Sequence, residues 1–96
     1  MAKKPNSSWY IYIIECVNGK LYTGITSNLE KRFKRHCAGK GARFTKRNRP
    51  SHMIAAKPCK DRSEASKLEY AIKQLKPKQK RTAVEAWPMK KDLPKA

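Results

Sequence analysis

A glycine turn between two short apolar segments constrains the fold of this chain more than any other feature. Trp9–Cys16 is rich in aromatic and β-branched residues, residues 20–25 form a second such segment, and Asn18-Gly19 lies between them. Segments of this composition favour β-strands, and Asn-Gly is a strong signal for a hairpin turn. Strands joined by so short a turn must be antiparallel. The apolar residues of the first segment face both ways, which predicts a central strand covered on two sides.

The length of the turn decides which side chains share a face of the hairpin. A two-residue turn would place Tyr12 and Tyr22 on opposite faces, because side chains alternate along a strand. A three-residue loop over residues 17–19, with Gly19 in the left-handed conformation, shifts the pairing by one residue. Tyr12 then lies opposite Gly24, and the two tyrosines share one face. We predict this second register, in which Gly24 leaves open space beside Tyr12.

A basic helix is expected directly after the hairpin. Ser27 or Asn28 can cap its beginning, and Gly39 can end it. Arg32 and His36 are four residues apart and therefore share one face of the helix. The apolar residues that recur every four positions and form its expected buried stripe are Leu29, Phe33 and Cys37.

The second half of the chain carries one more strand and two more helices. We predict a basic loop over residues 39–50 and a short strand over residues 52–57. Asp61 has the position of a cap for the next helix, and Pro77 both ends that helix and begins another, over residues 78–86. The expected core residues of the helix that Asp61 begins are Ala65, Leu68, Ile72 and Leu75. The predicted fold is α+β, a small three-stranded antiparallel sheet flanked by helices.

Length and charge narrow the class of protein. The 96 residues suffice for one domain, and the formal net charge is +17, from 24 Lys plus Arg against 7 Asp plus Glu. Such an excess makes a polyanion the expected partner, although a solvated basic surface would explain the charge alone equally well. We assign residues 9–87 to the domain, residues 1–8 to a disordered basic arm and residues 88–96 to a basic C-terminal tail.

Cysteine usage and hydropathy indicate a cytoplasmic protein. Cys16, Cys37 and Cys59 are too far apart for a zinc or disulfide motif, so we interpret them as reduced and mostly buried, with Cys16 and Cys37 on apolar faces. Residues 1–8 lack the pattern of a signal peptide. The longest apolar run, residues 9–14, is too short to cross a bilayer. We therefore expect no membrane partner, and nothing in the chain indicates a small-molecule cofactor.

Several segments together resemble the GIY-YIG nuclease superfamily, and especially its small stand-alone bacterial (URI-domain) proteins. Tyr10-Ile11-Tyr12 and Tyr22-Thr23-Gly24 are similar to the two halves of the family motif. The helix with Arg32 and His36, and a later Glu69, follow in the family's order. The resemblance covers about residues 9–86, and the combination is far more specific than either half-motif. Two departures are Tyr10, where the motif has Gly, and the lack of a clear late Asn. Gln79 lies near that position.

The resemblance implies a catalytic set composed of Tyr12, Tyr22, Arg32, His36 and Glu69. Tyr22 is the first candidate for a general base, and a nearby Arg32 would help to lower the pKa of its phenol. Arg32 would clamp the scissile phosphate, and His36 would relay a proton or contact a phosphate. The alternatives are tyrosines selected for packing, a solvated arginine and a neutral histidine at the helix edge.

Glu69 is the metal ligand that the resemblance implies. One Mg²⁺ or Mn²⁺ would be held by this carboxylate, phosphate oxygens and waters. Among the 7 acidic residues there is no D-x-D or comparable cluster, so a two-metal site is not expected. The alternative is a surface carboxylate paired with Lys73 one turn later.

The basic loop is expected to contact the backbone of a nucleic acid, most simply DNA. Its contact residues would be Lys40, Arg43, Lys46, Arg47 and Arg49. Phe44 either stacks on a base or, as we prefer, anchors the loop to the core. The predicted function is a monomeric, metal-dependent endonuclease that hydrolyses DNA phosphodiester bonds with structure selectivity or weak sequence specificity, in DNA repair or processing. The alternative is a non-catalytic nucleic-acid-binding module that retains the fold.

Overall fold

Three antiparallel strands form the sheet, with β1 at its centre. In the computed structural model, which describes residues 9–96, β1 is Trp9–Cys16, β2 is Leu21–Thr26 and β3 is Pro50–Cys59, in the order β2-β1-β3. Four consecutive residues of β1, from 11 to 14, are fully buried. The prediction of a central strand covered on both faces is therefore confirmed, as is the α+β class. The predicted basic arm, residues 1–8, lies outside the described residues.

Within residues 9–96, four helices flank this sheet. They are α1, Leu29–Cys37, α2, Arg43–Arg47, α3, Arg62–Lys73, and α4, Pro77–Ala83, which continues into a 3₁₀ turn at Val84–Ala86. The caps match the prediction: the side chains of Asn28 and Asp61 accept hydrogen bonds from the backbone N–H groups three residues later, at 3.0 and 2.9 Å. The basic loop predicted over residues 39–50 contains α2, and β3 is longer than predicted.

The hairpin has the register that a three-residue loop produces. Tyr12 lies opposite Gly24, and the N–H of Cys16 donates to the carbonyl of Lys20 at 2.8 Å. Gly19 has a φ of 86°, the left-handed conformation that a side chain disfavours. The predicted open space beside Gly24 is in fact filled, because the hydroxyl of Tyr12 occupies the volume that a Cβ at residue 24 would need.

The sheet has a different hydrophobic core on each face. Helix α3 packs on one face against Ile11 and Ile13, and α1 packs on the other against Tyr12 and Ile14. On α3, Ala65 and Ile72 are buried as predicted, and Leu68 packs partly buried against the same core, as does Leu75 just after the helix ends.

The buried face of α1 differs from the predicted stripe. Phe33 and His36 are buried, whereas Cys37 is exposed. Each four-residue step advances about 40° beyond a full helical turn, so a stripe with that spacing rotates away from the core. His36 then replaces Cys37 at the last buried position. Cys16 and Cys59 are buried as expected.

The last residues of the chain pack along the outer edge of β3. Met89 pairs with Ala56 and Lys95 with His52, while Met89 and Leu93 pack against the core on the α1 side. The sequence predicts a tail outside the domain over residues 88–96, but in the structure residues 89–96 are part of the folded unit. They cover backbone groups that a bare edge strand would leave unpaired.

The outer edge of β2 has no strand partner within residues 9–96. It is therefore the place where side chains from the two faces of the sheet can meet. In the same part of the chain, none of the helices has the length and hydrophobicity needed to cross a bilayer.

Candidate active site

Two tyrosines and a histidine meet on the α1 side of the sheet. The ring centroids of Tyr12 and Tyr22 are 6.4 Å apart, and that of His36 lies 6.0 Å from Tyr12 and 5.0 Å from Tyr22. Tyr12 is fully buried, whereas Tyr22 is half-buried on the edge strand. The hairpin register and the helical spacing of α1 thus bring together three of the five predicted catalytic residues, and Tyr22 is the more accessible of the two tyrosines.

A chain of hydrogen bonds fixes the proton positions in this cluster. The hydroxyl of Thr45 donates to the carbonyl of Ala42 at 3.1 Å, because a carbonyl can only accept. The same oxygen lies 2.7 Å from His36 Nδ1 and must accept its proton. His36 Nε2 is then the unprotonated nitrogen of a neutral ring, and the hydroxyl of Tyr12, 2.8 Å away, donates to it.

The pKa values of the pair keep this proton on the tyrosine. Burial lowers the pKa of His36 to about 4, with the charges of Arg32 and Arg35 adding to the effect. Burial also raises the pKa of Tyr12, and the nearby Tyr22 adds to that, while Arg32 opposes it. Since burial outweighs Arg32, Tyr12 is a hydrogen-bond donor rather than a base at neutral pH.

Arg32 lies on α1, one turn before His36, and its side chain is half-buried. Its positive charge lowers the pKa of the Tyr12 phenol, although less than burial raises it. The same charge lowers the pKa of His36. The guanidinium is therefore within electrostatic reach of both side chains, as the shared helical face predicted.

Glu69 is linked to the tyrosine cluster through its ion-pair partner Lys73. It lies on α3, which packs on the opposite face of the sheet, and its Oε2 is 3.2 Å from Lys73 Nζ. The same Nζ lies 5.7 Å from the centroid of the Tyr22 ring. The charge of Glu69 also raises the pKa of Tyr12, as the smallest of the contributions. The structure thus contains the predicted surface ion pair, and it places that pair beside the tyrosine cluster.

The basic segment 39–50 contacts the same cluster through Phe44 and Thr45. Phe44 stacks on Tyr22 at 5.8 Å and is partly buried, so the prediction that it anchors this segment is confirmed. Thr45 of α2 bonds to His36 as described. The exposed cations of this segment are Lys40, Arg43, Lys46, Arg47 and Arg49.

Comparison with known proteins agrees with this arrangement. The family model described as the GIY-YIG catalytic domain matches residues 8–82. The chain belongs to the GIY-YIG family. This is a family of nucleases, and the match includes the tyrosine cluster, α2 and Glu69.

Several similar proteins carry the name UPF0213 protein, which specifies no activity. A UPF0213 protein of Desulfotalea psychrophila is 52% identical over 80 residues, which cover 82% of this chain and 73% of the relative. One of Xanthomonas axonopodis pv. citri is 44% identical over 87 residues, or 91% and 82% of the two chains. The solution NMR structure of a UPF0213 protein from Bacillus halodurans is 36% identical, with a TM-score of 0.52 over 80% of this chain and 82% of that one.

The metal that GIY-YIG nucleases generally require would find one carboxylate here. Within residues 9–96 no group of three or more His, Cys, Asp or Glu side chains could enclose an ion. Mg²⁺ retains several waters and is commonly held by one or two carboxylates plus substrate phosphates. The side chain of Glu69 is 24% exposed, so it fits such a site as the single protein ligand.

Two close neighbours of His36 could not be recognised in the sequence. Thr45 fixes the tautomer of His36, yet nothing in its spacing indicates that contact. Gly41 approaches the His36 ring so closely that a Cβ there would overlap it.

Gln79, which lies near the expected position of the late family Asn, accepts a hydrogen bond from the N–H of Lys76 at 2.9 Å and caps α4.

The buried His36 predicts an acid-labile fold. Its pKa of about 4 in the folded state lies below the ordinary 6.5. Between pH 6.5 and pH 4 the unfolded chain therefore binds more protons than the folded protein, and the free energy of unfolding falls as the pH falls. The loss accumulates to about 3 kcal/mol below pH 4. Urea unfolding of the parent and His36→Gln between pH 7 and 4 measures it.

His52 provides the control for that measurement, because it is the other of the two histidines and its side chain is 46% exposed. We expect His36→Gln to start less stable but to lose less stability on acidification, and His52→Gln to follow the parent. Equal pH dependence of all three proteins would contradict the assigned neutral, buried histidine.

Proposed function

We propose that this chain is a metal-dependent endonuclease that hydrolyses DNA phosphodiester bonds with Tyr22 as its general base. The observation that supports this most directly is the difference in exposure and neighbours between the two tyrosines. Tyr12 is buried with its proton directed at His36, whereas Tyr22 is half-buried and lies beside Lys73 and its partner Glu69. Only Tyr22 can meet a water molecule and a substrate together.

In the proposed reaction the phenol of Tyr22 first gives its proton to solvent, and the phenolate then accepts a proton from water as the water oxygen attacks phosphorus. The bond from phosphorus to the leaving oxygen breaks, and that oxygen takes a proton from solvent. Arg32 binds the scissile phosphate and neutralises the charge that grows on it. A divalent ion on Glu69 would supply a further positive charge for the phosphate oxygens. The bonds among Tyr12, His36 and Thr45 hold the surrounding side chains in place.

The proposed preference among DNA substrates follows from the basic side chains that are available to contact phosphates. The five cations of the segment 39–50 are suited to phosphates, and phosphate contacts carry no base information. We therefore propose structure-selective or weakly sequence-specific cleavage by a monomer, with DNA repair or processing in the cytoplasm as its setting.

A cleavage panel of plasmid, branched DNA and RNA, with and without Mn²⁺, tests the proposal. We expect metal-dependent nicking of DNA, with Glu69→Gln and Arg32→Ala each slower by at least about 10²-fold. Both variants should keep the parent's circular dichroism and much of its DNA affinity. If the two variants cut as fast as the parent, the nicking comes from another site or a contaminating enzyme.

One observation favours a second candidate function, a nucleic-acid-binding module without turnover. The carboxylate that would hold the metal is already engaged by Lys73 at 3.2 Å. Under this alternative the panel shows no cleavage of any substrate in any metal, while binding of nucleic acid stays strong and sensitive to salt.

A further inference from the structure

Lys73 forms an ion pair with Glu69, the carboxylate proposed above as the metal ligand. Lys73 Nζ lies 3.2 Å from Glu69 Oε2 and 5.7 Å from the centroid of the Tyr22 ring. An ammonium group between a carboxylate and the face of an aromatic ring satisfies two attractions at once. The lysine thus supplies, in the substrate-free protein, the positive charge that the site needs.

We infer that Lys73 is a built-in counter-ion that competes with a divalent metal for Glu69 and is released when the metal binds. The inference rests on the proposed function for the identity of the metal ligand. It adds a residue to the site that neither the family motif nor the catalytic set contains. It also explains how one carboxylate can form the ion pair predicted as the alternative and still serve as a ligand.

The positive charge around Glu69 makes it unfavourable for Lys73 and a divalent metal to contact this carboxylate at the same time. Lys80 lies near enough for the charge of Lys73 to add to the effect of burial in lowering the pKa of Lys80. A divalent ion would bring two more positive charges to this group of cations. Since Lys73 is half-exposed on a flexible stem, it is the cation that can leave at least cost.

After its release from Glu69, the Lys73 ammonium can bind a phosphate of the DNA in the same site. Its ammonium already lies over Tyr22, the residue proposed to face the scissile phosphate. A phosphate oxygen would replace the lost carboxylate as its partner. Metal binding and DNA binding would then support each other, because each removes a competitor from the other's ligand.

Mn²⁺ binding to the DNA-free protein, followed by electron paramagnetic resonance at low salt, tests the competition. An exposed ion pair of this kind corresponds to a change of about two- to fivefold in affinity. We therefore expect Lys73→Met to bind Mn²⁺ about two- to fivefold more tightly than the parent, and Glu69→Gln to lose this binding. Lys67→Met is the matched control, because it removes the same charge from an exposed position of the same helix.

The outcomes separate this inference from the proposed function. If Lys73→Met binds Mn²⁺ no more tightly than Lys67→Met while Glu69→Gln loses binding, the competition is refuted and the metal site stands. If Glu69→Gln binds Mn²⁺ like the parent, Glu69 is not the ligand and both proposals fail. A preserved melting temperature in Lys73→Met, expected for a surface lysine, excludes misfolding as the cause of any change.

Discussion

Raising the salt concentration from about 50 to 200 mM is expected to weaken DNA binding by about 10³–10⁵-fold. Five exposed cations lie on the segment that Phe44 anchors beside the tyrosine cluster. Arg32 and Lys73 add two more at the cluster itself. If most of these seven contact phosphates, the counterions released give a steep dependence on salt. Fluorescence anisotropy of a labelled oligonucleotide, at several salt concentrations without divalent metal, measures the slope.

Single charge removals distinguish a defined DNA-binding surface from a general effect of the +17 net charge. Lys46→Gln and Arg47→Gln, on α2, should each reduce the logarithmic salt slope by about 1. Lys60→Gln is the control, because Lys60 is equally exposed but follows β3, at the opposite edge of the sheet from β2. Equal loss of slope in all three variants would mean that no particular face binds DNA.

Local chemistry was sufficient to predict the hairpin and the position of its tyrosines. Turn length fixes register, and Gly19 is the residue that permits a three-residue loop by adopting positive φ. Because side chains alternate, that register alone places Tyr12 and Tyr22 on the same face. The caps of α1 and α3 were predictable for the same reason, since each depends on residues three positions apart.

Features that depend on distant parts of the chain could not be predicted. Helical spacing places His36 on the same face as Arg32, but its burial depends on Thr45 and on the approach of Gly41, both from another segment. The packing of residues 89–96 along β3 depends on backbone pairing, and their composition resembles that of a solvated tail. Neither arrangement has a signature in sequence spacing.

The candidate site could be predicted only in part, because helical spacing fixes contacts within α3 but not how α3 packs against the sheet. Glu69 and Lys73 are four residues apart, so their ion pair follows from helical spacing. Their proximity to Tyr22 depends on how α3 packs against the sheet and on the open edge of β2. Family resemblance identified Glu69, but the structure was needed to show that the lysine partner contacts the tyrosine as well.

Replacing Tyr22 by phenylalanine is expected to slow cleavage by about 10²–10⁴-fold, the typical contribution of a general base. The substitution removes only a hydroxyl, and the ring contacts with His36 and Phe44 remain. Stability and DNA affinity should therefore stay close to those of the parent. Single-turnover cleavage in Mn²⁺ measures the rate, and urea unfolding measures the stability.

Tyr12→Phe is the matched substitution, and it should have the opposite profile. The Tyr12 hydroxyl donates to His36 Nε2 in the buried cluster, so its removal leaves a buried acceptor unpaired and costs about 1–3 kcal/mol of stability. Because Tyr12 only positions its neighbours, turnover at saturating DNA should fall far less than in Tyr22→Phe. If Tyr12→Phe loses turnover at unchanged stability while Tyr22→Phe cuts like the parent, the buried tyrosine must be the proton acceptor. The proton would then have to reach His36 despite the low pKa of that ring.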